Sequence, residues 1–317
     1  IVFISHKLQE VMAVSDRVVV LRAGKVVADV PTADTTPTQL AEHMVGRSLP
    51  QTIRQPLPPG APVLVLDQVT VQTGDDRTLL ESINLTVHQQ EIVGIAGVSG
   101  NGQAALFDLL SGLLAPTHGT VQLYGQPLRQ FSPATMVKAR VARIPEDRHA
   151  TGLVADMNIW ENLILETHQD AEFSHAGFLK PRTAKRYAAS LIAEFDVRCP
   201  SPNAIVRLLS GGNMQKLILG RELSRRPRLI LASQPTRGLD LGAVTYVHQR
   251  LLDARATGAS ILLISEDLEE LLTLSDRICV LYKGRLSPAI AAEDVVVSEI
   301  GLMMAGKTAI ADQVNQT

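Results

Sequence analysis

The sequence predicts an α/β fold organised around phosphate-facing turns, and three observations carry that expectation. The apolar run 91–96 leads straight into Gly97-Val98-Ser99-Gly100-Asn101-Gly102-Gln103-Ala104-Ala105 and then into a helical run over 106–114. Strand, glycine loop and helix in that order are the context a phosphate cradle requires. Further on, Leu209-Ser210-Gly211-Gly212-Asn213-Met214-Gln215-Lys216 sets two glycines after a serine at the head of a helically spaced run. Such a helix start offers free N–H groups and a positive dipole end to an anion, and glycine allows close approach. Alone, the same glycines would suit a plain helix cap. The third observation is a repeat with an offset of 260. Ile1-Val2-Phe3-Ile4-Ser5-His6 returns as Ile261-Leu262-Leu263-Ile264-Ser265-Glu266, and Leu8-Gln9-Glu10 as Leu268-Glu269-Glu270. Ser15-Asp16-Arg17 matches Ser275-Asp276-Arg277, and Met44-Val45-Gly46 matches Met304-Ala305-Gly306. A register held over about forty positions reads as a duplicated domain.

Composition bounds the alternatives. The 317 residues suffice for one large or two ordinary domains, and 45% hydrophobic with 20% charged residues is the balance of a globular chain with a core. A net charge of -2 gives no electrostatic case for nucleic acid. Cys199 and Cys279 lie far apart without metal or redox spacing, as expected of thiols in a reducing compartment. No apolar run reaches the length of about 20 residues that spans a membrane, and no signal peptide is visible. Ile1 already lies within a strand pattern, so the chain reads as the tail of one copy plus a whole second copy.

In order along the chain, residues 1–46 read as strand, short helix, strand, glycine turn and a closing helix over 39–45. Residues 47–60 hold Pro50, Pro56, Pro58, Pro59 and Gly60 and are expected to form a linker. Alternating strands follow over 63–71 and 79–87, then the glycine loop. Arg143-Ile144-Pro145-Glu146-Asp147-Arg148-His149 ends a strand and enters a loop. Residues 157–165, with the only tryptophan, Trp160, and residues 182–194 read as amphipathic helices. A buried strand over 229–231 and a helix over 242–256 precede the repeated tail, and 307–317 reads as a mobile terminus.

The serine-glycine-glycine run, a short helix, a buried strand and then Gln234-Pro235-Thr236-Arg237-Gly238-Leu239-Asp240 resemble the signature-to-D-loop region of ABC transporter ATPases. Thr236-Arg237-Gly238 is similar to the branch serving simple sugars and nucleosides. Asn101-Gly102-Gln103 and Ser233-Gln234-Pro235 lean toward its nucleoside side. The resemblance implies a P-loop ABC ATPase core with a mixed sheet and a helical subdomain inserted near 150–220. It divides the chain into the end of a first ATPase domain (1–46), a Pro-rich linker (47–60), a second ATPase domain (61–306) and a tail (307–317).

In that family, hydrolysis uses a loop lysine, a strand-end aspartate, the glutamate after it and a switch histidine. Carried onto the second copy, these positions are Gln103, Ser233, Gln234 and Glu266, and each has lost the required group. Ala104 stands where a hydroxyl would bind magnesium. The resemblance therefore implies a degenerate second site that is inactive alone and at most holds nucleotide. His6 takes the switch-histidine position of the first copy. Gly97, Gly100, Asn101, Gly102, Gln103, Ala104 and Ala105 would line the nucleotide loop, while Ser210, Gly211 and Gly212 would complete the missing first copy's site. Asp240 either crosses toward the opposite loop or simply caps a helix. Glu146 and Arg148 either face a permease or form a solvated charge run, and Arg237 reads as a structural fork to a carbonyl or carboxylate.

The implied cofactor is ATP, with Mg2+ at the first-domain site. The implied partners are transmembrane permease subunits, the first ABC domain of the same chain and a substrate-binding protein, with no nucleic acid. The implied location is the cytoplasmic face of the cell membrane. A soluble ABC ATPase without a permease would instead predict a long charged linker and intact catalytic glutamates, and a nucleotide-binding regulator is the third reading.

Overall fold

The computed structural model describes residues 1–5, 8–22, 24–46, 54–75 and 77–307. His6, the first half of the linker (47–53) and the tail beyond Lys307 lie outside the described residues. The N-terminal unit holds α1 (Leu8–Val14), the antiparallel pair β1 (Arg17–Arg22) and β2 (Lys25–Pro31), and α2 (Pro37–Val45). A capping box starts α2: Thr36 Oγ1 accepts from the Gln39 N–H, and Gln39 Oε1 accepts from the Thr36 N–H.

The larger unit opens with β3 (Pro62–Gln72), β4 (Thr78–His88) and β5 (Ile92–Ala96), then α3 (Gln103–Ser111), β6 (His118–Leu123) and β7 (Gln126–Pro127). Helix α4 (Pro133–Lys138) leads to β8 (Val141–Ile144). The helical insertion contains α5 (Ile159–Leu163), the small hairpin β9 (Ser174–His175) and β10 (Phe178–Leu179), α6 (Pro181–Glu194) and α7 (Gly211–Leu223). The chain then runs through β11 (Leu229–Ser233), α8 (Leu241–Ala256), β12 (Ser260–Ser265), α9 (Leu268–Leu274) and β13 (Arg277–Tyr282). Short strands β14 (Arg285–Leu286) and β15 (Ile290–Ala291) precede α10 (Val297–Met304).

Two sheets result. Strands β4, β3, β6 and β7 form an antiparallel sheet in that order, and β13, β5, β12, β11 and β8 form a parallel one, edged by antiparallel β14 and β15. Every residue of β5, β11 and β12 is buried, as expected of parallel strands covered on both faces. One core lies between the sheets around α3, with Ile95, Leu106 and Val71; the other joins the parallel sheet to the helices, with Leu217, Leu251 and Leu271. This is the mixed-sheet α/β core with inserted helices that the sequence predicts. Among the described residues no helix is long and apolar enough to cross a membrane.

Element boundaries shift for local reasons. The helix expected over 106–114 starts at Gln103 and stops at Ser111, because Gly112 turns left-handed (φ 78) and closes onto the Asp108 and Leu109 carbonyls. The helix expected over 157–165 shrinks to α5, whose start is set by Asn158 and Glu161. The described end of the linker, residues 54–60, contains no regular element. It is docked instead: Arg255 donates to the Gln55 and Gln90 carbonyls (2.8 and 2.7 Å), and Arg54 pairs with Asp276 at 2.5 Å.

The offset of 260 also relates elements. Helix α1 corresponds to α9, strand β1 to β13, and the turn Thr32–Asp34 to Ala292–Asp294. Their surroundings differ. Leu262, in β12 between β5 and β11, is 1% exposed, whereas its counterpart Val2 is 92% exposed. We therefore expect Leu262→Ala to cost about 2–5 kcal/mol and Val2→Ala less than about 0.5 kcal/mol in urea unfolding of this chain. Equal losses would contradict the difference in packing.

Candidate functional site

The glycine loop leaves β5 and enters α3 through Gly102, which sits at φ 111. A Cβ there would come within 3.2 Å of the Leu79 carbonyl and 3.3 Å of Gly284, so the chain passes because the residue is glycine. Gln103 is buried and folds back into the loop. Its Nε2 donates to the Val98 carbonyl (2.8 Å), and its Oε1 accepts from the Asn101 N–H (3.1 Å). Asn101 is pinned from the other side, its Oδ1 accepting from Lys283 N–H (3.1 Å) and its carbonyl from Gly284 N–H (2.9 Å). The carboxamide thus spans the turn and engages the Asn101 N–H, which also reaches the Val98 carbonyl at 3.3 Å. Gly97 makes room for it, since a Cβ there would lie 2.6 Å from Gln103 Nε2.

The donor set does not fit a magnesium-bound nucleotide. Ala104 offers a methyl group, Gln103 no positive charge, and Ser233 no negative charge at the end of β11. Among the described residues, no three His, Cys, Asp or Glu side chains group as a metal site.

The second turn is built differently. Ser210 is the N-cap of α7, yet its hydroxyl does not cap the helix; it accepts from Asn213 Nδ2 (2.9 Å), while Asn213 Oδ1 accepts from the Arg198 N–H (2.8 Å). Ser210 is exposed, and the first N–H groups of α7 are left to whatever meets them. A Cβ on Gly212 would be 3.5 Å from the Ala243 methyl, and one on Gly211 would be 3.5 Å from Arg148 Nε. Lys216 is withdrawn from the turn, held by the Asp196 carbonyl and carboxylate (2.8 and 2.5 Å).

Asp240 caps α8, its Oδ1 accepting from the Ala243 N–H at 2.9 Å. Gln234 has a left-handed backbone (φ 47), and its Oε1 accepts from the Glu266 N–H at 3.3 Å. Gln234 and Glu266 are therefore neighbours. Glu146 pairs with the Arg237 guanidinium, and Arg148 donates to the Arg237 carbonyl at 2.7 Å. Burial lowers the pKa of Arg148. Asp147 caps the wide turn Arg148–Gly152, and the N–H groups of Ala150 and His149 lower its carboxyl pKa. The sequence reading anticipated Arg237 as a fork but missed these partners of Glu146 and Arg148. It also missed a buried cluster of Glu270, His248, Ser265 and Thr236, whose one sequence signal is a serine and a glutamate five apart in both copies.

Chemically, the Gln234 carboxamide takes no proton and does not act as a base. The α7 start, by contrast, is suited to meet an anion.

A parallel sheet with a glycine loop, an inserted helical layer and a serine-glycine-glycine helix start defines the ATP-binding cassette class. Residues 80–237 match the ABC transporter family. A solved ATP-binding subunit of an ABC transporter superposes with a TM-score of 0.62 at 21% identity, over 77% of this chain and 99% of that one. The guanosine import ATP-binding protein NupO of Bacillus subtilis (strain 168) is 42% identical over 93% of this chain and 58% of its own length. The nucleoside import ATP-binding protein NupA of Lactococcus lactis subsp. cremoris (strain MG1363) is 39% identical over 96% of this chain and 61% of its own. The chain belongs to the ABC transporter family of ATP-binding domains. It spans about three-fifths of the length of those two relatives.

The engaged loop leads to a binding prediction. ATP should bind this chain with a Kd near or above about 1 mM, roughly −4 kcal/mol, with or without magnesium. Gln103→Lys combined with Ala104→Thr should tighten it by at least about tenfold and make it magnesium-dependent. Calorimetric titration that finds tight, magnesium-dependent binding by the unaltered chain would contradict this.

Proposed function

We propose that this chain is the C-terminal part of the ATP-binding subunit of an importer for a nucleoside or simple sugar. In this reading its ATPase domain is degenerate and lends its signature turn to the site of a first domain upstream. The observation that carries the reading is the asymmetry of the two turns. The loop 97–105 engages its own N–H with Gln103, while Ser210, Gly211 and Gly212 stand at an exposed, uncapped helix start.

The repeat supports an upstream domain. Ile1, Val2 and Ile4 are exposed although their counterparts in β12 are buried, and Val19 and Leu21 of β1 are exposed where Cys279 and Leu281 of β13 are not. An upstream parallel sheet would cover those side chains. There, ATP and Mg2+ would sit on the first domain's own loop, and the α7 N–H groups and dipole would meet the γ-phosphate. His6 would be that domain's switch histidine. The nucleoside side of the substrate range rests on the names of the relatives NupO and NupA. Permease subunits, a substrate-binding protein and the cytoplasmic membrane face follow from the importer reading, in which Glu146 and Arg148 would face the permease.

The test uses the full two-domain subunit with its permease. Gly212→Asp should lower substrate-stimulated ATP turnover and uptake by up to about a thousand-fold, because like charges about 4 Å apart repel by roughly 4 kcal/mol at an effective dielectric of about 20. Gly212→Ala is the steric control, since its Cβ would meet only the Ala243 methyl at an ordinary 3.5 Å. Gln103→Ala should change turnover less than several-fold. Transport silenced by Gln103→Ala and untouched by Gly212→Asp would reverse the assignment. Failure of the subunit to co-purify with multi-span membrane proteins would contradict the importer reading itself.

A further inference from the structure

The buried carboxylate of Glu270 has a role that packing does not explain. Helix α9 buries Leu271 and Leu274 beside it, so an apolar side chain would suit the same environment. A desolvated carboxylate is costly unless every lone pair finds a partner. Glu270 finds them on three other elements. Its Oε1 accepts from Thr236 Oγ1 (2.7 Å) and lies 3.0 Å from His248 Nε2 of α8, and its Oε2 accepts from Ser265 Oγ (2.6 Å). Ser265 Oγ in turn accepts from the Asp267 N–H (3.1 Å). Thr236 belongs to the loop that ends in Asp240, and Ser265 immediately precedes Glu266.

The serine-glutamate bond occurs twice. Ser5 Oγ donates to Glu10 Oε2 at 3.2 Å in the N-terminal unit, at the same spacing. Glu10 is exposed and Glu270 is buried, so the bond does not depend on one particular packing. From Thr236 the connection runs on. The Arg237 carbonyl accepts from Arg148, whose guanidinium lies against Gly211 at the start of α7.

Resting on the two-domain reading above, we propose that Glu270 is a positioning residue. It ties the loop 236–240 to the loop carrying Glu266, and so holds the signature turn and Asp240 in register with each other for the upstream site. Glu10 holds Ser5 of the first copy in the same way. Neither glutamate takes part in bond making; each acts through the hydroxyls it holds.

The experiment uses the full two-domain subunit with its permease and has two readouts. In backbone hydrogen exchange, Glu270→Ala should speed exchange across 234–240 and 265–267 at least about tenfold while leaving 97–105 unchanged, and Glu270→Gln should restore protection. In steady-state ATP turnover, Glu270→Ala and Thr236→Val should each lower kcat about tenfold with KM for ATP within about twofold, and Glu270→Gln should recover kcat to within about threefold. The double variant Glu270→Ala with Thr236→Val should be no slower than Glu270→Ala alone, because both break one connection. Thr236→Val keeps the test open if Glu270→Ala does not fold. Unchanged exchange over 234–240 in either variant, wild-type kcat in Thr236→Val, or a Gln variant as slow as Ala would overturn the proposal. A wild-type subunit that hydrolyses no ATP would count against the importer reading, and the exchange result alone would then decide the role of Glu270.

Discussion

Strands that run parallel in one sheet must deliver their loops to the same edge, and that constraint places the glycine loop and the turns that follow β8, β11 and β12. The pairings Ile264 with Ile95, Ser233 with Ile264 and Ala232 with Ile144 bring the ends of β5, β12, β11 and β8 level. The glycine loop, Glu146, Gln234 and Glu266 therefore emerge side by side from positions scattered over about 170 residues of chain, as ligand-facing loops do at the carboxyl ends of parallel strands. The β13–β14 turn joins them, with Lys283 and Gly284 bonded to Asn101. The register is secured by fully buried aliphatic strands, so the edge is held by the core rather than by the loops themselves.

The helical insertion would be free to pivot on that edge were it not anchored at its far end. Glu222, near the end of α7, accepts from the Arg143 N–H of β8 and from Arg221 Nε, both at 2.9 Å. Complete burial raises its pKa despite those partners. Glu166 gathers Arg143 and Arg225 beside it. Buried, partnered charges of this kind demand one geometry, because losing either partner strands the other. The α7 start is therefore fixed from two ends, by this cluster behind it and by Arg148, Arg237 and Glu146 in front. The turn keeps Ser210 exposed and its helix start without a side-chain cap.

The glycine loop was legible in the sequence because backbone freedom at Gly102 is written in the residue itself, and the apolar runs of β5, β11 and β12 because burial on both faces leaves few polar positions. Arg237 as a fork was legible too. What was not legible depends on residues distant in sequence. Nothing near Gln103 says that its amide will fold back to the Val98 carbonyl, and Arg148 meets its carbonyl partner 89 positions away. The Asp240 cap was readable as one of two roles, since N-caps are local. Short elements such as α4 and the β9–β10 hairpin escaped because two to six residues carry too little periodicity.

The central claim is that the two phosphate-facing turns of this chain serve different sites, one of them upstream. It is tested most directly by photolabelling the full two-domain subunit with an azido-ATP analogue in magnesium and mapping the labelled peptides. The account predicts label on the upstream domain's glycine loop, lost in Gly212→Asp, with residues 97–105 unlabelled. Magnesium-dependent label on residues 97–105 that survives Gly212→Asp would contradict it.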